Sequence, residues 1–398
     1  MVEGVPIEFV LFGLTLMAVA VAERWALAAA LTGLFGVIAW KLYGPGFAAG
    51  AGLAGLVADL RQEAPLLANL FLLLVSFAVL ARHVEQSELP DAMPAVLPSG
   101  RSGGVALLAV IFVLSAVLDN IAAALIGGTI ARHVFGGRVH PGYVAGIVAA
   151  ANAGGAGSVI GDTTTTMMWL GGIPALTVAP AYIASGVALV VCGIIAAAQQ
   201  HRLSPVQQHV GPPVRLDWVR LAVAAVIIVI AVSVNIAANA WGHGSGDAYP
   251  VMGIAVMAAV IATAPLRKPD WSVMPGAARG AVFLLSLVLA ASLMPVERLP
   301  AADAGVTLGL GVLSAVFDNI PLTALAMRQG GYDWALLAYA VGFGGSMMWF
   351  GSSAGVAICG QYPEARSAAV WIRAAWHVPL AYAAGAAVYL MLRGWHAG

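Results

Sequence analysis

Long apolar runs alternate along the chain with short polar interruptions. Residues 7–21, 66–80, 175–198 and 221–238 approach or exceed the roughly 20 apolar residues that a membrane-spanning helix needs. Their continuity does not fit the in–out alternation of barrel strands, so spanning helices are expected, which satisfy their own backbone groups in lipid. With the interruptions as boundaries, the first half predicts segments at 6–22, 24–42, 64–82, 103–135, 141–172 and 173–199. The second predicts them at 217–240, 250–266, 279–296, 303–328, 332–361 and 371–394.

Four of these segments are broken by polar residues, and the breaks come in pairs. The string SAVLDN at Ser115 returns as SAVFDN at Ser314, half a chain later. Downstream of each copy lies a glycine-rich interruption, NAGGAGSVIGDTTTTMMW at 152–169 and GFGGSMMWFGSSAG at 342–355. Such self-similarity indicates a duplicated unit, with repeats expected at 1–200 and 217–398 and a polar linker at 201–216. Segment 103–135 is too long for one crossing: as a straight helix it measures about 50 Å at 1.5 Å per residue, against a core of ~30 Å. It is expected to be a re-entrant hairpin with Asp119-Asn120 at its tip, as is 303–328, while 141–172 and 332–361 are expected to be broken helices. The helices at about 6–82 are the expected scaffold of the first repeat.

Hairpins that return to their own side leave an odd number of crossings per half, about ten in all, so the second half is expected to insert upside down. The positive-inside rule agrees: with the N-terminus outside, all of the 18 Lys and Arg except Lys41, Arg61, Arg298, Arg328 and Arg393 fall on the cytoplasmic side. The expected class is an all-α polytopic membrane protein with an inverted-topology repeat. Secondary transporters use that architecture and bind their ions where helices break near the midplane.

Composition fits: the chain is 61% hydrophobic and 9% charged, with a mean hydropathy of +0.93, whereas soluble domains are about a quarter charged. Net charge is zero, which points to no nucleic acid. Cys192 and Cys359 are far apart in apolar context and read as packing residues. The N-terminal MVEGVPIEF has no Lys or Arg ahead of its apolar run, so that run is expected to be a retained span rather than a signal peptide.

Of the 18 acidic residues, only Asp119, Asp162 and Asp318 fall at predicted membrane depth. A carboxylate there costs a few kcal/mol or more and needs a partner, a proton, an ion or water. One reading makes Asp119 and Asp318 helix caps; the other makes them ligands, with Asn120 and Asn319 orienting the broken backbone, and both roles can coexist. Asp162 and the hydroxyls of Thr163, Thr164, Thr165 and Thr166 offer hard oxygen ligands for sodium, or a cap followed by threonines bonding back to the preceding turn. Ser352 and Ser353 keep the hydroxyls in the second half and lose the acid. A carboxylate kept from water is neutralised by a proton or by a cation, and competition for one site couples the two flows in opposite directions. A sodium ion held transiently by Asp119, Asp162 and Asp318 is therefore expected as cargo, with no resident cofactor. No Lys or Arg is expected at midplane depth, which argues against a di- or tricarboxylate substrate. Among the histidines, His377 stands out inside the last span.

At these residues the sequence resembles the NhaD-type sodium/proton antiporters of the ion transporter superfamily, relatives of arsenite permeases and citrate carriers. The words that carry the resemblance are SAVLDN, NAGGAGSVIGDTTTTMMW, SAVFDNIPLTALAM and GFGGSMMWFGSSAGVA. It implies a dimerising scaffold and a transport domain that moves as an elevator in the inner (plasma) membrane, hence a homodimer. It also implies a site lined by Asp119, Asn120, Asp162, Thr163, Thr164, Thr165, Asp318, Asn319, Ser346, Ser352 and Ser353, with Ser115, Ser314, Thr323 and His377 accessory. The chain departs from the family pattern in the run Ile121-Ala-Ala-Ala, where a threonine like Thr323 is expected, and at Thr163, where the family has another residue; these departures bear on ion selectivity.

The expected function is exchange of sodium or lithium for protons. The alternative is an arsenite, oxyanion or organic-anion permease of the same fold, although neutral arsenite needs no three acids. A membrane-embedded hydrolase shares the paired aspartates and lacks the further context such enzymes need, so no enzyme is expected.

Overall fold

A computed structural model describes residues 6–21, 25–89, 92, 97–206, 215–241 and 249–398. Residues 207–214, most of the expected linker, lie outside the described residues, as do residues 1–5. The first half contains α1 (Ile7–Val21), α2 (Ala26–Tyr43), α3 (Gly52–Glu85), α4 (Gly100–Ser115), α5 (Asn120–Val134), α6 (Pro141–Ala156), α7 (Thr163–Leu170), α8 (Ala175–Val178) and α9 (Ala181–Leu203). The second contains α10 (Trp218–Trp241), α11 (Val251–Thr263), α12 (Met274–Ser292), α13 (Ala304–Ser314), α14 (Asn319–Gln329), α15 (Trp334–Gly344), α16 (Ser353–Gln361), α17 (Ala368–Ala374) and α18 (His377–Arg393). An isolated bridge between Phe47 and Gly50 is the one strand-like contact among the described residues.

The helices depart from the expected boundaries for identifiable reasons. The span expected at 64–82 belongs to a helix of 34 residues, α3; its polar start reads as loop, yet Asp59 accepts a hydrogen bond from the Ala49 N–H and Glu63 pairs with Arg328 at 3.3 Å. The span expected at 173–199 starts later, because Pro174 and Pro180 each precede a helix and cannot donate into one. The last span is bent by 57° between α17 and α18; Pro379 then falls in the first turn of α18, where a missing N–H is harmless. Four helical stretches among the described residues are long and apolar enough to cross a membrane: α2, α3, α9 and Trp271–Ser292. The bent pair, counted as one span, makes a fifth, and further apolar stretches of 10–17 residues lie in α1, α4, α10, α11, α13 and α15.

The paired breaks have matching geometry. α4 ends at Ser115, and after a three-residue turn Asp119, at φ −56° and ψ 142°, caps α5. α13 ends at Ser314, and Asp318, at φ −53° and ψ 142°, caps α14. Asp162 caps α7 at φ −143° and ψ 141°, and Ser352 caps α16 at φ −144° and ψ 151°. The Ser115 hydroxyl donates to the Ala151 carbonyl and the Ser314 hydroxyl to that of Val341, so α4 is tied to α6 and α13 to α15 by the same kind of bond.

A helix that is apolar on every side belongs in the interior. α6 and α15 have that character, are buried along nearly their whole length, and pack on each other at the centre. α5 lies against α16 and α14 against α7, so the helices after the paired breaks of one half meet those of the other. Ion pairs between helices join residues that the charge pattern assigns to one side of the membrane. Arg82 meets Asp270, and Arg267 meets Asp217, on the expected cytoplasmic side; Arg328 meets Glu63 on the other.

The breaks need close backbone approach. A side chain on Gly161 falls on the Ser115 carbonyl, and one on Gly351 falls on carbonyls of the turn after Ser314. Gly161→Ala and Gly351→Ala are each expected to destabilise the protein by about 1–3 kcal/mol. Gly186→Ala, which points into open space, is expected to leave the thermal unfolding temperature in detergent unchanged.

Candidate functional site

A cavity of about 360 Å³ reaches from one face of the molecule to the breaks. Its inner end is lined by Asn120, Thr163, Asn319 and Ser353, the first residues of α5, α7, α14 and α16. Four helix N-termini therefore face one space. Asp119 and Asp162 line it as well, and the carboxylate of Asp318 accepts from the lining hydroxyl of Ser353 at 3.0 Å. Leu70, Leu73 and Phe77 of α3 form one wall, and Gly276, Gly280 and Leu284 of α12 form the other.

Each aspartate is a cap and faces the site at once. Asp119 accepts the Ile121 N–H at 3.1 Å, Asp162 that of Thr164 at 3.1 Å, and Asp318 that of Ile320 at 3.0 Å. Asp162 also approaches the Asn319 amide at 3.5 Å. Each helix N-terminus carries about +0.5 of a charge. Three ionised carboxylates against four such ends leave an excess of about one negative charge.

Behind this layer Asn152 joins the two halves. Its carbonyl accepts from Asn120 at 3.0 Å, and its amide donates to Ser346 at 2.9 Å and Ser352 at 3.1 Å. In the corresponding place of α15 stands Gly342, and the Asp162 carboxylate lies over it. The polar network is thus neutral on one side and acidic on the other.

The site gathers most of the expected residues, in different roles. Asp119, Asn120, Asp162, Thr163, Asn319 and Ser353 line the cavity, with Asp318 bonded directly to it. Ser346 and Ser352 lie one layer back, bonded to Asn152. Thr164 is buried, and its hydroxyl makes no hydrogen bond of ordinary geometry. Four expected hydroxyls are instead committed to backbone carbonyls: Thr165 to Ser158 and Asp162, Thr323 to Asn319, Ser115 to Ala151 and Ser314 to Val341. His377 begins α18, is fully buried, and is not part of this cavity wall. No three His, Cys, Asp or Glu side chains converge as a metal centre among the described residues; the oxygens here come from carboxylates, amides and hydroxyls together.

Sequence reasoning missed Asn152 and the mouth. Asn152 is the one amide in the otherwise apolar α6, and that was its signal. Thr166 lines the cavity while donating to Val159. At the mouth stand Glu85 and Arg82, the one basic residue lining the cavity among the described residues. Arg82 meets Glu85 at 2.7 Å and Asp270 at 3.1 Å. The Ser272 hydroxyl and Arg82 hold the half-buried Asp270 below the usual carboxylate range, so this pairing persists at neutral pH.

No family model matches the chain. It is 27% identical over 332 residues to sodium/proton antiporter 1 of Arabidopsis thaliana, an alignment covering 72% of this chain and 55% of that protein. It is 29% identical over 292 residues to sodium/proton antiporter 2 of the same plant, covering 62% and 66%. To the Na(+)/H(+) antiporter NhaD of Halomonas elongata it is 37% identical over 89 residues, covering 21% and 18%. The matches thus span about half to two thirds of the two plant relatives. The resemblance carried by the motifs is matched by these sequence relatives, which are named as transporters rather than enzymes.

The geometry separates structural from lining hydroxyls. Thr165→Val is expected to cost about 1 kcal/mol, and Asn152→Ala about 3 kcal/mol because several buried groups lose their partner. Thr163→Ala is expected to stay within about 0.5 kcal/mol of the parent. Thermal unfolding in detergent checks the order.

Proposed function

We propose that this chain exchanges sodium or lithium for protons across a membrane by alternating access. The observation that carries this reading is the convergence of four helix N-termini, three of them capped by aspartate, on one cavity. An excess of about one negative charge at the inner end of the cavity is neutralised by one small cation or by one proton. The surrounding amides and hydroxyls supply the hard oxygens that sodium prefers. The plant and bacterial relatives, named as sodium/proton antiporters, support the same reading.

Helix N-termini and an arginine are also what an anion carrier uses, which is the physical basis of the arsenite or organic-anion alternative. In this chain the aspartates already cover three of the N-termini, and Arg82 is held by Glu85 and Asp270. Little positive charge is left for an anion.

The two halves act as an inverted repeat, 1–200 and 217–398. The hairpins and broken helices form the part that moves, and α3 and α12, which wall the cavity, belong to a stationary scaffold through which two copies pair. Motion of one against the other carries the site across as an elevator. The cavity opens beside Arg82 and Glu85, on the side that the distribution of basic residues assigns to the cytoplasm. This arrangement is therefore inward-facing, in an inner or plasma membrane with the N-terminus outside.

Reconstituted vesicles test the reading. A sodium pulse should dissipate a preset pH gradient, and Asp119→Asn, Asp162→Asn or Asp318→Asn should abolish the response in protein that still folds. A gradient insensitive to sodium and lithium in vesicles of folded, oriented protein would contradict it, and one dissipated by arsenite or a carboxylate would favour the alternative.

A further inference from the structure

A second cavity, of about 560 Å³, shares no lining residue with the first. His140, Gln199, Arg202, Leu203, Val370 and Arg373 form most of its wall, and among the described residues none of its lining is acidic. Arg202 lies in the last turn of the spanning helix α9, and Arg373 in the last turn of α17 beside the 57° bend. Both guanidinium groups thus sit at the C-terminal ends of apolar helices. Both are exposed, and neither joins an ion pair among the described residues.

The floor is fixed and polar. Gln199 donates to the Ala374 carbonyl at 3.0 Å, tying α9 to α17. Gln200 accepts from the His140 N–H at 2.7 Å and donates to the Arg138 carbonyl at 2.9 Å. His140 accepts the Gly142 N–H through Nδ1 at 3.0 Å. In the neutral ring the proton is then on Nε2, which leaves a donor on the opposite edge. α6, 16 residues long, begins at this wall and adds the positive end of its dipole. Around the cavity Leu203, Val370, Ile372 and Trp376 are exposed, an apolar margin with a tryptophan at interface level.

We propose that this cavity binds the headgroup of an anionic phospholipid, its phosphate held between Arg202 and Arg373 and its acyl chains lying along the apolar margin. Guanidinium groups match phosphate oxygens in geometry and charge. Basic pockets between spanning helices on the cytoplasmic side favour such headgroups, and the distribution of basic residues assigns this end to that side. A soluble anion would leave the apolar margin uncovered. The lipid fastens α9 to the bent last span, whether or not the transport reading holds.

Native mass spectrometry with phosphatidylglycerol and phosphatidylcholine tests the proposal, with inorganic phosphate as the soluble control. The unaltered protein should retain phosphatidylglycerol in preference to phosphatidylcholine, and millimolar phosphate should not displace it. Arg202→Gln with Arg373→Gln should weaken phosphatidylglycerol binding by about thirtyfold, and Arg202→Lys with Arg373→Lys should retain most of it. Equal retention of both lipids, displacement by phosphate, or undiminished binding in the glutamine pair would overturn the assignment. Should the glutamine pair not fold, competition between the two lipids on the unaltered protein decides.

Discussion

Negative charge held away from water has to be answered locally, and the structure answers it with helix ends. A carboxylate at membrane depth costs a few kcal/mol or more. Here three of them sit where four helices begin, each accepting an N–H from its own helix. The half-charges of those ends offset most of the carboxylate charge without removing it. Capping a helix and facing the cavity are therefore one arrangement. The cap fixes the carboxylate in place, and the uncompensated remainder is what a proton or a metal ion can neutralise.

The rest of the fold keeps those ends together. α6 and α15 are buried on all sides, so they can stop mid-protein and release chain into the breaks. Gly161 and Gly351 let that chain lie against the hairpin turns. Asn152 bonds residues of both halves, and Gly342 in the corresponding place leaves room for the Asp162 carboxylate. An amide on one side and an acid on the other give a pair of similar half-sites unequal charge. Arg82 at the mouth, held by Glu85 and Asp270, keeps its positive charge from dominating the entrance.

Much of this was legible from residue order, because polar residues are rare in this chain and each one at membrane depth stands out. Asp119, Asp162, Asp318 and the amides beside the first and last of them were read that way, and the cavity collects Asp119, Asn120, Asp162 and Asn319 directly. What a sequence does not reveal is the partner. Thr165, Thr323, Ser115 and Ser314 look like ligands but bond to carbonyls, since a hydroxyl in an apolar helix returns to backbone when no other acceptor is near. His377 was singled out for its depth, yet it lies outside the cavity wall. Arg82 was missed for the opposite reason: hydropathy ended the span there, whereas α3 runs to Glu85 and turns that arginine toward the mouth. Helix ends shifted where proline or a polar cap, rather than hydropathy, set the boundary.

The central claim is that one site holds either a proton or a metal ion. Calorimetry of sodium binding to the purified protein, in two buffers of different ionisation enthalpy and at several pH values, tests it most directly. Binding is expected to release protons, with affinity falling as pH falls, by roughly tenfold per unit when one proton is displaced. Sodium binding of constant affinity across that range, with no proton released, would contradict it.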